Sequence, residues 1–187
     1  MNSVTAAPTY QFSVEEYLKL GEVGIFHEDD RVELLNGNIV LMSPIGIRHM
    51  NAVRRLNRIF HRQFARKAIV DVQNPVVIDG QSMPQPDVLL LRLDFDESAA
   101  PGPADVLLLV EVADSSLLYD QRDKLEAYAR NGITEYWLLD LTRNELHVFR
   151  DPAGPTYRTT QVVHREESIA PLAFPDTPIA LGELLPP

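Results

Sequence analysis

Two spacings alternate along this chain, and together they predict its elements. Between Arg48 and Lys67, Val53, Leu56, Phe60 and Phe64 recur at intervals of three and four, the pattern of a helix with one buried face. Elsewhere the apolar residues come in short runs bounded by turn residues. Ala68 to Ile78, Pro86 to Leu91, Asp105 to Ala113, Glu135 to Leu141, Glu145 to Arg150 and Tyr157 to Val163 all read as strands. The longest apolar run, Val106 to Val110, has the size of a buried strand.

Turn and cap residues punctuate these runs. Ser13-Val14-Glu15-Glu16 has the form of a capping box and predicts a short helix over 14–20, ended by Gly21. Arg31 to Met42 predicts a hairpin, because Asn36-Gly37 tolerates the positive φ angles of a type I′ turn. A second long helix is expected over 120–130, closed by Asn131-Gly132. Five prolines from Pro171 onward suggest a C-terminal tail over 171–187 that runs along the surface, opposite an N-terminal tail over 1–11. With no repeat and no internal linker, the expectation is one α/β domain of the α+β type over 1–187. It would have a central mixed sheet flanked by helices and an N-terminal β-hairpin.

Composition narrows the setting. A chain of 187 residues can build one real core and is short for two. It has no cysteine, so disulfides and thiolate metal sites are excluded, which fits a reducing compartment. Met1 to Tyr10 lacks the form of a secretory signal, and no stretch is long enough to span a bilayer. A cytoplasmic protein without membrane contact is expected.

Charge points two ways. The formal net charge of −10 is unlike that of a general nucleic-acid binder. Yet Arg48, Arg54, Arg55, Arg58, Arg62, Arg66 and Lys67, seven of the 17 lysines and arginines, lie in one segment free of acidic residues. Arg55, Arg58, Arg62 and Arg66 repeat with helical period on a face other than the apolar one. Such a stripe on an acidic body can hold a phosphate backbone at one place and repel it elsewhere.

Three polar side chains stand in costly settings. Glu111 interrupts an apolar strand, where an ionised carboxylate needs a cation or hydrogen-bond donors. Asp87 follows Pro86 at the mouth of a neighbouring strand, and Lys124 lies on the helix after Glu111. If the two strands pair, two carboxylates converge at a sheet edge as a hard-oxygen site suited to Mg²⁺ or Mn²⁺. A lysine beside them could position or deprotonate an attacking water, or stabilise transition-state charge. Taken singly, Asp87 also reads as a turn residue and Lys124 as a solvated partner of Asp120. Glu33 on the hairpin could be a third acid, an orienting group or a structural residue. His49 could contact a phosphate, carry a proton or cap the basic helix. The other histidines lack zinc-ligand spacing, and no nucleophile elbow, phosphate loop or dinucleotide fingerprint occurs.

These residues fall into stretches that resemble a known family. Val32-Glu33-Leu34-Leu35-Asn36-Gly37-Asn38-Ile39-Val40, then Met42-Ser43-Pro44 and His49, are similar to the opening of the Uma-type restriction endonuclease family, a domain family of unknown function. Pro86-Asp87-Val88, Val110-Glu111-Val112, Asp120 to Tyr128 and Asn131 to Asp140 continue the resemblance, which covers about residues 12–149. That family is assigned to the PD-(D/E)XK nuclease superfamily. The resemblance implies a restriction-endonuclease-like fold, Asp87 and Glu111 as metal carboxylates, and Glu33 as an accessory acid. The superfamily's usual lysine, two residues after the glutamate, is replaced here by Ala113. Lys124 matches the position from which the family supplies its lysine instead. A second departure is Ala113-Asp114-Ser115-Ser116, where the family has a Ser-Pro-Ser-like turn.

The expected function is therefore metal-dependent endonucleolytic cleavage of DNA by a homodimer with Mg²⁺ or Mn²⁺. Asp87, Glu111, Lys124, Glu33 and His49 would form the site, and the arginine stripe would track the backbone. Two alternatives stay open. One is a catalytically inactive nuclease fold serving as a nucleic-acid-binding or protein-interaction module, and the other is a small-molecule hydrolase using the same metal pair.

Overall fold

Six of the expected strands pair into one sheet. A computed structural model describes residues 9–27, 29–114 and 116–186. Most of the N-terminal tail, Ser115 of the variant turn, and Pro187 lie outside the described residues.

The chain begins with α1 (Val14–Glu22), where Ser13 and Glu16 form both bonds of the capping box. The helix runs through Gly21, since a single glycine weakens a helix by only about 1 kcal/mol; the chain turns at Gly24, where φ is +76°. Strands β1 (Val32–Leu35) and β2 (Asn38–Leu41) form the hairpin, with Asn36 and Gly37 at φ of +49° and +72° as a type I′ turn requires. Then comes α2 (Ile47–Phe64), whose Val53, Leu56, Phe60 and Phe64 are all buried.

The sheet order is β3 (Ile69–Val72), β4 (Val88–Leu91), β5 (Val106–Ala113), β6 (Glu135–Asp140), β7 (Glu145–Ala153), β8 (Thr156–Val163). Neighbours are antiparallel except β5 and β6, which are parallel. A parallel step needs a crossover, and residues 117–130 supply it. Alternation in β4 sends Val88 and Leu90 to the core shared with α2, and Leu89 and Leu91 to the core under the crossover helix. Both faces of the central strands are thus covered, which explains their unbroken apolar runs.

Three further expectations need correcting. The strand expected over 68–78 ends at Val72, because Gln73 takes φ of +55° and turns the chain out of the sheet. The helix expected over 120–130 begins earlier and is not uniform. It comprises α3 (Leu117–Tyr119), a π-helical turn (Asp120–Lys124) and α4 (Leu125–Arg130). The proline-rich tail is also part of the core. β9 (Ser168–Ile169) pairs with β10 (Ile179–Ala180), and α5 (Leu181–Leu184) follows. Ile169, Ile179, Leu181, Leu184 and Leu185 close the α2 side of the sheet. Among the described residues no helix is long and apolar enough to cross a membrane.

Candidate active site

Antiparallel pairing of β4 with β5 sets Val88 opposite Val110, and one further step of that register sets Asp87 opposite Glu111. Glu111 stands on the side covered by the crossover helix, where Lys124 and Tyr128 reach it, while Asp87, one residue before β4, turns its carboxylate toward the Val112 amide. Both are buried. Asp87 Oδ2 accepts from the Val112 amide at 2.9 Å, and Oδ1 accepts from Gln73 Nε2 at 3.2 Å. The left-handed turn at Gln73 places that donor, and Gln73 N also bonds Asp87 O at 3.1 Å.

His49, in the first turn of α2, approaches Asp87 from the other face of the sheet. Its Nε2 lies 3.0 Å from Asp87 Oδ2, so an ionised Asp87 requires the proton on Nε2. Its Nδ1 is buried without a hydrogen-bond partner.

Glu111 meets Lys124 directly. Lys124 Nζ lies 2.9 Å from Glu111 Oε1 and 3.1 Å from Glu33 Oε2, so one ammonium bridges an acid of β5 and an acid of β1. Tyr128 OH donates to the same Glu111 oxygen at 2.7 Å. Glu33 is held where β1 docks on the segment before β4: Met83 N donates to Leu34 O at 2.8 Å and Gln85 N to Glu33 Oε2 at 3.0 Å. The π-helical turn keeps Asp120 and Lys124 both buried, because residues four apart drift less around a widened turn than around an α-helix. Ser116 Oγ donates to Asp120 Oδ2 at 2.5 Å.

Four buried acids, Glu33, Asp87, Glu111 and Asp120, therefore line one cavity with a single buried ammonium, to which Glu33, Glu111 and Asp120 are the acid neighbours. Burial pushes the Glu111 carboxyl up to about 8, with Asp120, Asp87 and Glu33 adding to it and Lys124 opposing. Burial likewise raises Asp120 to about 6, again against the pull of Lys124 and the Ser116 bond. For Lys124, burial works against the charge, but Glu111, Glu33 and Asp120 outweigh it and hold the side chain protonated. Carboxyl groups that burial keeps protonated would give up those protons to a hard divalent cation, for which carboxylate oxygens are the preferred donors. Among the described residues, no three His, Asp or Glu side chains converge as a ready-made cage.

The cluster lines an open cavity of about 620 Å³, together with residues of the hairpin and residues 116–120. Glu33, His49, Asp87, Glu111 and Lys124 all line it. The arginine stripe does not: Arg55 is half-buried, Arg58, Arg62 and Arg66 are exposed, and Arg62 bonds Glu183 at 2.8 Å. Asp120, Tyr128 and Gln73 belong to the cluster although sequence reasoning gave them no role there. For the first two a signal existed, since Asp120, Lys124 and Tyr128 recur at intervals of four. Gln73 carried none, because nothing local marks it for a left-handed turn.

A family model described as "Uma2: Putative restriction endonuclease" matches residues 14–182. Among solved structures, the chain is similar to the crystal structure of "a putative nuclease belonging to DUF820" from Anabaena variabilis. The two share 14% identity over 92% of this chain and 97% of the other, with a TM-score of 0.71, a likeness of fold. No curated protein matches.

Proposed function

This chain belongs to the Uma2 family of putative restriction endonucleases, and we propose that it is a metal-dependent nuclease that hydrolyses DNA phosphodiester bonds at the Asp87–Glu111–Lys124 cluster. The observation that carries this reading is the 2.9 Å contact between Lys124 Nζ and Glu111 Oε1. Ala113 stands where the superfamily's lysine is expected, and the contact supports the view that Lys124 supplies the missing ammonium from the crossover helix.

Asp87 and Glu111 are the residues that would hold Mg²⁺ or Mn²⁺. Such an ion, when bound, polarises a phosphoryl oxygen and lowers the pKa of bound water. The remaining roles fall to the chain itself. Lys124, whose charge its acidic neighbours favour, is suited to orient water and to stabilise the charge that develops on the phosphate. Glu33 and Tyr128 keep the ammonium and Glu111 in place. His49 orients Asp87 through Nε2. The exposed arginines of α2 lie outside the cavity, where they are suited to contact a nucleic-acid backbone beyond the cleaved bond.

A second reading keeps the fold and drops the chemistry. Ala113 in place of the standard lysine, with Lys124 and Tyr128 both engaged by Glu111, also suits an inactive binding module. Mn²⁺ titration by calorimetry separates the two. Binding by the wild type that is lost in Asp87→Ala and Glu111→Ala, together with loss of Mn²⁺-dependent DNA cleavage, supports the nuclease. Cleavage unchanged in a folded Asp87→Ala protein would sink the assignment.

A further inference from the structure

We infer that the Lys124 ammonium and a divalent cation compete for Glu111, and that Glu33 is the acid that keeps the ammonium once the cation has displaced it; this rests on the nuclease reading above. Lys124 Nζ lies 2.9 Å from Glu111 Oε1 and 3.1 Å from Glu33 Oε2, so it stands between the two acids. Oxygen donors from more than one acid are also what a hard divalent cation seeks.

The acids are already committed to donors. Each carboxylate oxygen offers about two lone pairs. Glu111 Oε1 accepts from Lys124 Nζ and, at 2.7 Å, from the Tyr128 hydroxyl. Asp87 Oδ2 accepts from the Val112 amide at 2.9 Å and lies 3.0 Å from His49 Nε2. Glu33 Oε2 accepts from the Gln85 amide at 3.0 Å beside Lys124. These commitments explain why four buried acids line one cavity and yet, among the described residues, no three converge as a cage.

A cation on either oxygen of Glu111 would stand a few ångströms from the Lys124 ammonium, and both residues are buried, where little water screens the repulsion. The ammonium has another place to rest. Glu33 is anchored independently of Glu111, through the Gln85 amide on the segment before β4. Lys124 Nζ also lies 5.7 Å from the centroid of the Tyr119 ring, within cation–π range. Held by Glu33 and that ring, Lys124 keeps its charge at the cavity and no longer caps Glu111. The lysine is then free to face a phosphate only when a divalent cation is in place beside it.

The test is calorimetric titration of Mn²⁺ into full-length wild type, Lys124→Met and Arg31→Met. Arg31 also lines the cavity but bonds Ser43 O, so its variant controls for loss of charge alone. Lys124→Met should bind Mn²⁺ about tenfold more tightly, and Arg31→Met should bind as the wild type does. Damage to the fold weakens binding, so a gain in affinity is a result that a merely structural role for Lys124 does not produce. Affinity unchanged or lower in folded Lys124→Met overturns the inference, and the nuclease reading stands if Asp87→Ala abolishes binding and cleavage. An equal gain in Arg31→Met overturns it as well, since loss of charge and not displacement is then at work. If Lys124→Met does not fold, a crystal structure of the wild type grown with Mn²⁺ decides. Nζ should have left Glu111 Oε1 and stayed within hydrogen-bond reach of Glu33; an ion on Glu111 with Nζ still on Oε1 overturns the inference. Mn²⁺ bound by neither protein, with no metal-dependent cleavage, overturns the nuclease reading and this one with it.

Discussion

Lys124 Nζ lies 2.9 Å from Glu111 Oε1, although the two residues belong to a helix and a strand and are thirteen positions apart in the chain. That distance makes the crossover after β5 part of the candidate site. Both groups are buried, and Lys124 also lies 3.1 Å from Glu33, so removing the lysine leaves two buried acids without their cation.

Lys124→Met should therefore destabilise the protein by about 3–5 kcal/mol, the usual cost of breaking a buried ion pair from one side. Adding Glu111→Gln should recover part of that loss, since one of the two buried acids that lost its cation is then replaced by a neutral amide. Urea denaturation of the two single variants and the double variant measures the coupling. Simple additivity would show that the pair does not interact.

The acid cluster should invert the usual pH dependence of a metal-free sample. Glu111 is raised to about 8 and Asp120 to about 6, so the folded state holds protons that the unfolded state releases from about pH 4 upward. Bound protons are then fewer in the unfolded state, and stability falls as pH rises through about 4 to 8. Melting of chelator-treated protein should show this decline, and Mn²⁺ added near pH 8 should reverse it. A flat or rising profile, indifferent to Mn²⁺, would contradict the assigned shifts.

Gly37→Ala tests how the hairpin holds Glu33. Gly37 sits at φ of +72°, and an added Cβ would come within 2.5 Å of Gln11 Oε1 and 2.7 Å of Gln11 Cβ. A loss of about 1–3 kcal/mol is expected. Mn²⁺ affinity should fall as well, because the β1 edge that positions Glu33 shifts. A fully stable variant with native affinity would show that the turn does not fix the site.

Glu135 provides the contrast. It is buried like Glu111, yet its oxygens are taken by Trp137 Nε1 at 2.8 Å, Arg150 at 2.6 Å and Leu172 N at 2.6 Å. Arg150→Ala should cost about 3–5 kcal/mol by stranding that carboxylate. It should leave Mn²⁺ binding to the folded protein unchanged, which calorimetry below the melting transition would show. Altered metal affinity would mean that this end of β6 communicates with the cavity.

Much of the architecture was legible in one dimension. The three-and-four spacing of Val53, Leu56, Phe60 and Phe64 reports which side of α2 is buried, and Asn36-Gly37 reports a turn that few other pairs allow. Glu111 stood out because a carboxylate inside an apolar strand is costly wherever the strand lies. The C-terminal segment misled, because prolines mark loops and say nothing of the apolar residues between them. Ile169, Ile179 and Leu181 are buried by a sheet face built from strands far away in sequence.

The sequence by itself determined the local periods, the turn chemistry and the identities of Asp87, Glu111 and Lys124 as residues out of keeping with their surroundings. Only the tertiary structure decided that β4 and β5 pair in a register, Val88 opposite Val110, that brings Asp87 and Glu111 to one cavity, that a π-helical turn aims Asp120 and Lys124 into it, and that the arginine stripe lies outside it. The physical reason is one of range. Burial of a face is written in the spacing of neighbours, whereas convergence of side chains depends on which distant strands and helices pack together.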